Sequence, residues 1–199
     1  MIAIMALMCY YLKEYRMKMN NITLIGMPGA GKSTLGVVLA KILGYEFLDS
    51  DLLIQKEEKR RLYQIIDEEG EEGFKTIENR VNASIDTENT VIATGGSVVY
   101  CSEAMEHLKS IGKVVYLSLS LESLEKRLGN LKKRGVLLKE GQTLKSLYEE
   151  RVPLYEKYAD IVVDEEGKDL EESLAAVLEI ISKLITETAY IQCICIVLT

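Results

Sequence analysis

A short apolar run, Ile22-Thr23-Leu24-Ile25, leads directly into Gly26-Met27-Pro28-Gly29-Ala30-Gly31-Lys32-Ser33-Thr34. The spacing is G-x-x-x-x-G-K-S. Leu35, Val38, Leu39 and Ile42 then repeat at three and four, which predicts a helix, and Gly44 ends it. Strand, glycine-rich loop and helix in that order form the context in which this spacing binds phosphate. The glycines let the backbone curl so that several N–H groups converge on one phosphate, and the helix N-terminus adds positive potential. Lys32 neutralises the β- and γ-phosphates, and Ser33 offers a hydroxyl to Mg²⁺. Gly29, Ala30, Gly31, Lys32, Ser33 and Thr34 are therefore the expected contacts of a nucleoside triphosphate bound with Mg²⁺.

The rest of the chain has to complete a fold around that loop. Its 199 residues suit one compact α/β domain, and 48% hydrophobic with 28% charged residues excludes a disordered or collagen-like chain. A net charge of −7 argues against a general nucleic-acid binder, which carries a basic surface. Cys9, Cys101, Cys193 and Cys195 form neither a C-x-x-C pair nor a zinc spacing, so a reducing, cytoplasmic setting is expected. Residues 1–20 form an apolar N-terminal extension. Its run Met1–Leu12 is shorter than the roughly 20 residues of a spanning helix. It is either an upstream addition to a start at Met17 or Met19, or a segment that packs on the domain or touches a membrane; no membrane association is expected. Residues 184–199 form an apolar tail in which Ile191, Cys193, Cys195 and Val197 alternate, as on an edge strand.

Two further segments carry chemistry. Tyr45-Glu46-Phe47-Leu48 leads into Asp49-Ser50-Asp51, at what should be the C-terminal end of a strand, where open α/β sheets bind ligands. Carboxylates at i and i+2 share a side while the strand stays extended. Asp49 can then serve Mg²⁺ while Asp51 reaches a hydroxylated substrate; an N-cap for the next helix is the alternative. Val91-Ile92-Ala93-Thr94 runs into Gly95-Gly96-Ser97, where paired glycines admit a ligand close to the backbone, or simply make a turn.

In order along the chain, GMPGAGKST, FLDSD, GEEGFKTIE, ATGGSVV, LEKRLGNLKKRGVLL and ERVPLYEKYADIVVD resemble the shikimate kinase family over about residues 21–183. The resemblance implies a three-layer α/β kinase fold, a five-stranded parallel sheet flanked by helices, with a mobile lid. It implies transfer of the γ-phosphoryl of ATP to the 3-hydroxyl of shikimate by a small, monomeric enzyme; a kinase of the same fold acting on another small hydroxylated acid is the alternative. Carried over by motif, Asp49 helps hold Mg²⁺, Asp51 binds the substrate hydroxyls and acts as base, and Gly95 and Gly96 present backbone N–H groups. Arg151 grips the substrate carboxylate, Arg134 reaches the phosphates from the lid, and Arg127 lies on the adenine. Residues 129–141, basic and bounded by glycines, suit such a lid.

Three positions depart from the family pattern. Phe74 is followed by Lys75 instead of the arginine that shares the substrate carboxylate, and lysine is a point charge without the planar fork. Ser97 replaces a third glycine, bringing a side chain that narrows the pocket or adds a hydroxyl. Gly135 stands where proline usually follows the lid arginine, which widens the backbone's freedom. Glu78 is expected to support Lys75. His107, the lone histidine, reads as a surface residue, Cys101 as a buried thiol, and Tyr148, Tyr155 and Tyr158, at helical spacing, as packing residues. The acidic run Glu68, Glu69, Glu71 and Glu72 reads as a solvated turn and helix start.

Overall fold

A computed structural model describes residues 21–128 and 142–197. The expected lid with Arg134, and the N-terminal extension, lie outside the described residues. Five strands form one parallel sheet: β1 (Asn21–Ile25), β2 (Glu46–Asp49), β3 (Thr90–Ala93), β4 (Lys113–Ser118) and β5 (Ile161–Asp164), in the order β2-β3-β1-β4-β5. Its helices are α1 (Lys32–Leu43), α2 (Ser50–Glu58), α3 (Leu62–Ala83), α4 (Ser102–Ile111), α5 (Leu121–Leu128), α6 (Leu144–Tyr158) and α7 (Leu170–Val197).

The sequence explains the layering. β1 is buried at every position, as a central parallel strand covered on both faces must be. Its first residue is polar but satisfied: the Asn21 amide donates to the carbonyls of Thr87 and Ile111 and accepts from the Thr90 N–H. The registers Leu24↔Ala93 and Leu48↔Ile92 align the C-terminal ends of β1, β2 and β3, so the segments that follow them share one edge. Leu35 and Leu39 of α1 lie in the main core. A smaller core of Ile54, Ile65, Phe74 and Val81 joins α2 to α3 beyond that edge.

Two local features differ from the alternation and spacing arguments. β2 ends at Asp49, whose carboxylate caps α2 by accepting from the N–H groups of Asp51 and Leu52. Asp49 and Asp51 are thus not neighbours on a strand face; a helix start separates them, and Asp49 takes the capping role that was the alternative. At the C-terminus, α7 continues to Val197, so the strand inferred from alternation in the tail is a helix instead. No glycine or proline interrupts Leu170–Val197, and Asp169 and Glu172 cap its start reciprocally. The acidic run sits on α3 around Gly70, whose φ of 68° breaks the helical path.

Candidate active site

A cavity of about 630 Å³ opens where β1, β2 and β3 end. The loop after β1 contributes Pro28, Gly29, Gly31, Lys32, Ser33 and Thr34; the start of α2 contributes Asp51; the turn after β3 contributes Gly95, Gly96 and Ser97; α3 contributes Lys75 and α6 Arg151. Ten of the residues expected from the sequence therefore meet around one space. Ala30 does not line it: its side chain packs in the core and its N–H is spent on the Met27 carbonyl at 3.1 Å. Arg127 does not line it either. It lies in the last turn of α5, in the field of Glu165 and Glu166 beyond β5.

Gly31, at φ 97°, is the N-cap of α1 in a conformation few other residues accept. That turn sends Lys32 back under the loop. Its ammonium donates to the carbonyls of Gly26 (2.7 Å) and Met27 (3.1 Å), and burial lowers its pKa to about 8. Asp51 and Asp49 pull the other way and Arg151 adds to the lowering. The Ser33 hydroxyl donates to Asp49 at 2.9 Å. Two hard oxygens side by side at a phosphate loop suit Mg²⁺, which keeps waters and phosphate oxygens as its remaining ligands. Among the described residues no group of three His, Cys, Asp or Glu side chains forms a metal cage.

Asp51 sits deeper. Burial raises its pKa, the Asp49 charge raises it further, and Lys32 opposes both. Gly95 lets two carboxyls close in: a β-carbon would stand 2.7 Å from Glu78 Oε1 and 2.8 Å from Asp51 Oδ1, so a larger residue would push both aside. Glu78 is wholly buried, neither of its oxygens has a hydrogen-bond partner of normal geometry, and burial pushes its pKa up to about 7. The nearby Ser97 hydroxyl, Arg151 and Lys32 act downward, while Asp51 adds to the rise. Ser97 thus adds a hydroxyl beside a carboxyl.

Glu78 does not support Lys75, contrary to expectation. Lys75 stays at the cavity rim, bound to Glu72 at 2.9 Å and Glu71 at 3.2 Å. An ammonium loses less hydration at that rim than it would beside the fully buried carboxyl.

The motif reading also missed two tyrosines. Tyr100, last residue of the short turn Val98–Tyr100, lines the cavity, and Arg151 Nε donates to its hydroxyl at 3.3 Å. Tyr155 packs as helical spacing suggested, stacked 5.1 Å from Tyr116, but its hydroxyl also donates to the Gly96 carbonyl at 2.6 Å. Helical spacing marks a buried face and is blind to a polar tip that leaves it. Cys101 is buried, with its thiol pushed up to about 12. His107 faces the Ile85 carbonyl at 2.7 Å, outside the cavity.

The model of one protein family, shikimate kinase, matches residues 28–182. The chain belongs to the shikimate kinase family. It is 42% identical over 171 residues to the shikimate kinase of Francisella tularensis subsp. novicida, a match covering 84% of this chain and 93% of that one. In structure it is similar to a shikimate kinase from Acinetobacter baumannii solved in complex with shikimate (TM-score 0.74, 35% identity, 89% of this chain and 98% of that one). The shikimate kinase of Aquifex aeolicus follows at TM-score 0.68 and 34% identity, covering 85% and 98%.

Proposed function

We propose that this enzyme transfers the γ-phosphoryl group of ATP to the 3-hydroxyl of shikimate, giving shikimate 3-phosphate and ADP. The observation that carries the reading is the lining of the cavity. A phosphate loop with Lys32, a buried arginine, Arg151, and a carboxylate, Asp51, share one space. A small hydroxylated acid finds there a cation for its carboxylate and a carboxylate for its hydroxyl.

Phosphoryl transfer needs positioning and charge neutralisation more than covalent help. The N–H groups of Gly29 and Gly31–Thr34 and the Lys32 ammonium receive the triphosphate; by family resemblance Arg127, outside the cavity lining, would lie toward the base and Arg134 would reach the phosphates. Ser33 and Asp49 would hold Mg²⁺, which would supply charge neutralisation to the triphosphate. Arg151, Lys75 and the Gly95–Gly96 backbone fix the acid. Asp51 then accepts the hydroxyl proton as that oxygen bonds to phosphorus and ADP leaves. A Lys32 that is already short of solvent gains most from the arriving phosphates, since opposite charge restores its pKa.

We take residues 21–183 as the kinase domain, with 1–20 and 184–199 as additions to it, and the enzyme as a cytoplasmic monomer. Among the described residues no helix is long and apolar enough to cross a membrane. The test is ADP formation from Mg·ATP with shikimate, run beside other small hydroxylated acids. Shikimate-dependent turnover with the highest kcat/KM of the set is expected. Turnover on another acid and none on shikimate would overturn the assignment.

A further inference from the structure

We propose that Tyr100 is the positioning residue of the carboxylate end, holding Arg151 and Lys75 at one anion-binding spot; this rests on the reading of shikimate as the substrate. Both cations lie over the Tyr100 ring, Lys75 Nζ 5.1 Å and Arg151 Cζ 5.3 Å from its centroid. Two cations gathered to meet one carboxylate repel each other while the site is empty. The ring attracts both, on the side of Lys75 that Glu71 and Glu72 leave open. The hydroxyl adds direction. It takes the Arg151 Nε–H at 3.3 Å, which pins the guanidinium by its inner edge. Nη1 is then left at the glycine loop, where a β-carbon on Gly96 would stand 3.1 Å away.

Lysine has no fork of its own to fix its orientation. On the outer side Lys75 is tied to Glu71 and Glu72, and the ring holds it on the inner side. Tyr100 is in turn anchored to the loop it serves: its N–H donates to the Ser97 carbonyl at 2.9 Å. The same helix that carries Arg151 fastens that loop through Tyr155 and Gly96. Cations, ring and glycine turn are therefore joined by one continuous set of contacts.

The test compares wild type, Tyr100→Phe and Tyr100→Leu with two probes, shikimate and its methyl ester, which lacks the carboxylate charge. Losing only the hydroxyl should raise the KM for shikimate about threefold to tenfold. Losing the ring should raise it roughly 30-fold or more. The KM for ATP and the Tm of Tyr100→Phe should stay at wild-type values, and the KM for the ester should be the same in wild type and Tyr100→Phe. An unchanged KM for shikimate in both variants, or equal rises for acid and ester, would overturn the role of Tyr100 and leave the substrate assignment standing. Wild-type enzyme with no shikimate turnover would instead remove the assignment, and this inference with it.

Discussion

The two ends of the cavity are built in opposite ways. The phosphate end is one unbroken stretch, Gly26–Thr34, in which backbone N–H groups and one lysine make the site. The acid end is gathered from α3, the turn after β3, and α6, positions 75, 95, 96, 100 and 151. Its contacts are made by side chains whose directions depend on packing. The first kind of site survives as a motif. The second exists only after the fold has brought distant segments together. Mutations at the phosphate end should therefore disturb ATP, and those at the acid end shikimate, with Asp51 between them belonging to the chemical step.

Asp51→Asn tests that middle position and carries the largest expected effect. The amide keeps the shape and loses the proton acceptor, so kcat should fall about 10²- to 10⁴-fold while the KM for ATP changes little. Steady-state rates with each substrate varied in turn decide it. Equal losses in kcat and ATP affinity would move Asp51 to the phosphate end.

Glu78 stands apart from both sets of residues, buried beside the Ser97 hydroxyl and in no ion pair among the described residues. Its pKa rises from 4.5 to about 7 on folding, so the folded enzyme holds a proton that the unfolded chain releases between those values. Stability from this group is complete below pH 4.5 and is lost as pH rises through 7. The cost at pH 8 is on the order of 3 kcal/mol, which is up to about 10 °C in Tm for a chain of this size. The groups that face it are Asp51, which raises the pKa, and Arg151 and Lys32, which lower it. Glu78→Gln should thus gain Tm relative to wild type on going from pH 5 to pH 8. A difference that does not change with pH would mean that the carboxyl is ionised throughout.

At the acid end proper, Arg151→Lys keeps a cation and removes the fork and the Nε–H bond to Tyr100. The KM for shikimate should rise about tenfold to hundredfold with the KM for ATP unaffected. A rise shared by both substrates would show that Arg151 spans the cavity.

The same contrast explains how much could be read in advance. The strand, loop and helix of the phosphate site follow from local spacing, and so does the αL stop at Gly44. Gly95 was legible as a close approach, although its partners, Asp51 and Glu78, lie on two other helices. Tyr100 carries no motif, and its role arises because α6 passes beside the glycine turn. Lys75 lines the cavity, but its partners are Glu71 and Glu72 and not Glu78. Lys75 and Glu78 sit three apart on α3, a spacing at which side chains can meet, but burial draws Glu78 inward while hydration keeps the ammonium at the rim. Alternation misled in the tail because period two carries little weight against an uninterrupted, capped helix.

The smallest effect belongs to the phosphate end, and it needs no mutation to appear. Lys32 is short of solvent and its pKa in the empty site is lowered to about 8. The cation is the form that meets phosphate, so kcat/KM for ATP, which reports the free enzyme, should fall above pH 8 by at most about tenfold per pH unit. Bound phosphates favour the charged ammonium, so kcat, which reports the complex, should hold its plateau to higher pH. Lys32→Arg keeps a permanent cation in the same place. It should lose the alkaline limb of kcat/KM for ATP even where its rate is lower. A limb that persists in that variant would assign the titration to another group, and with it the claim that the phosphate end is run by a single lysine.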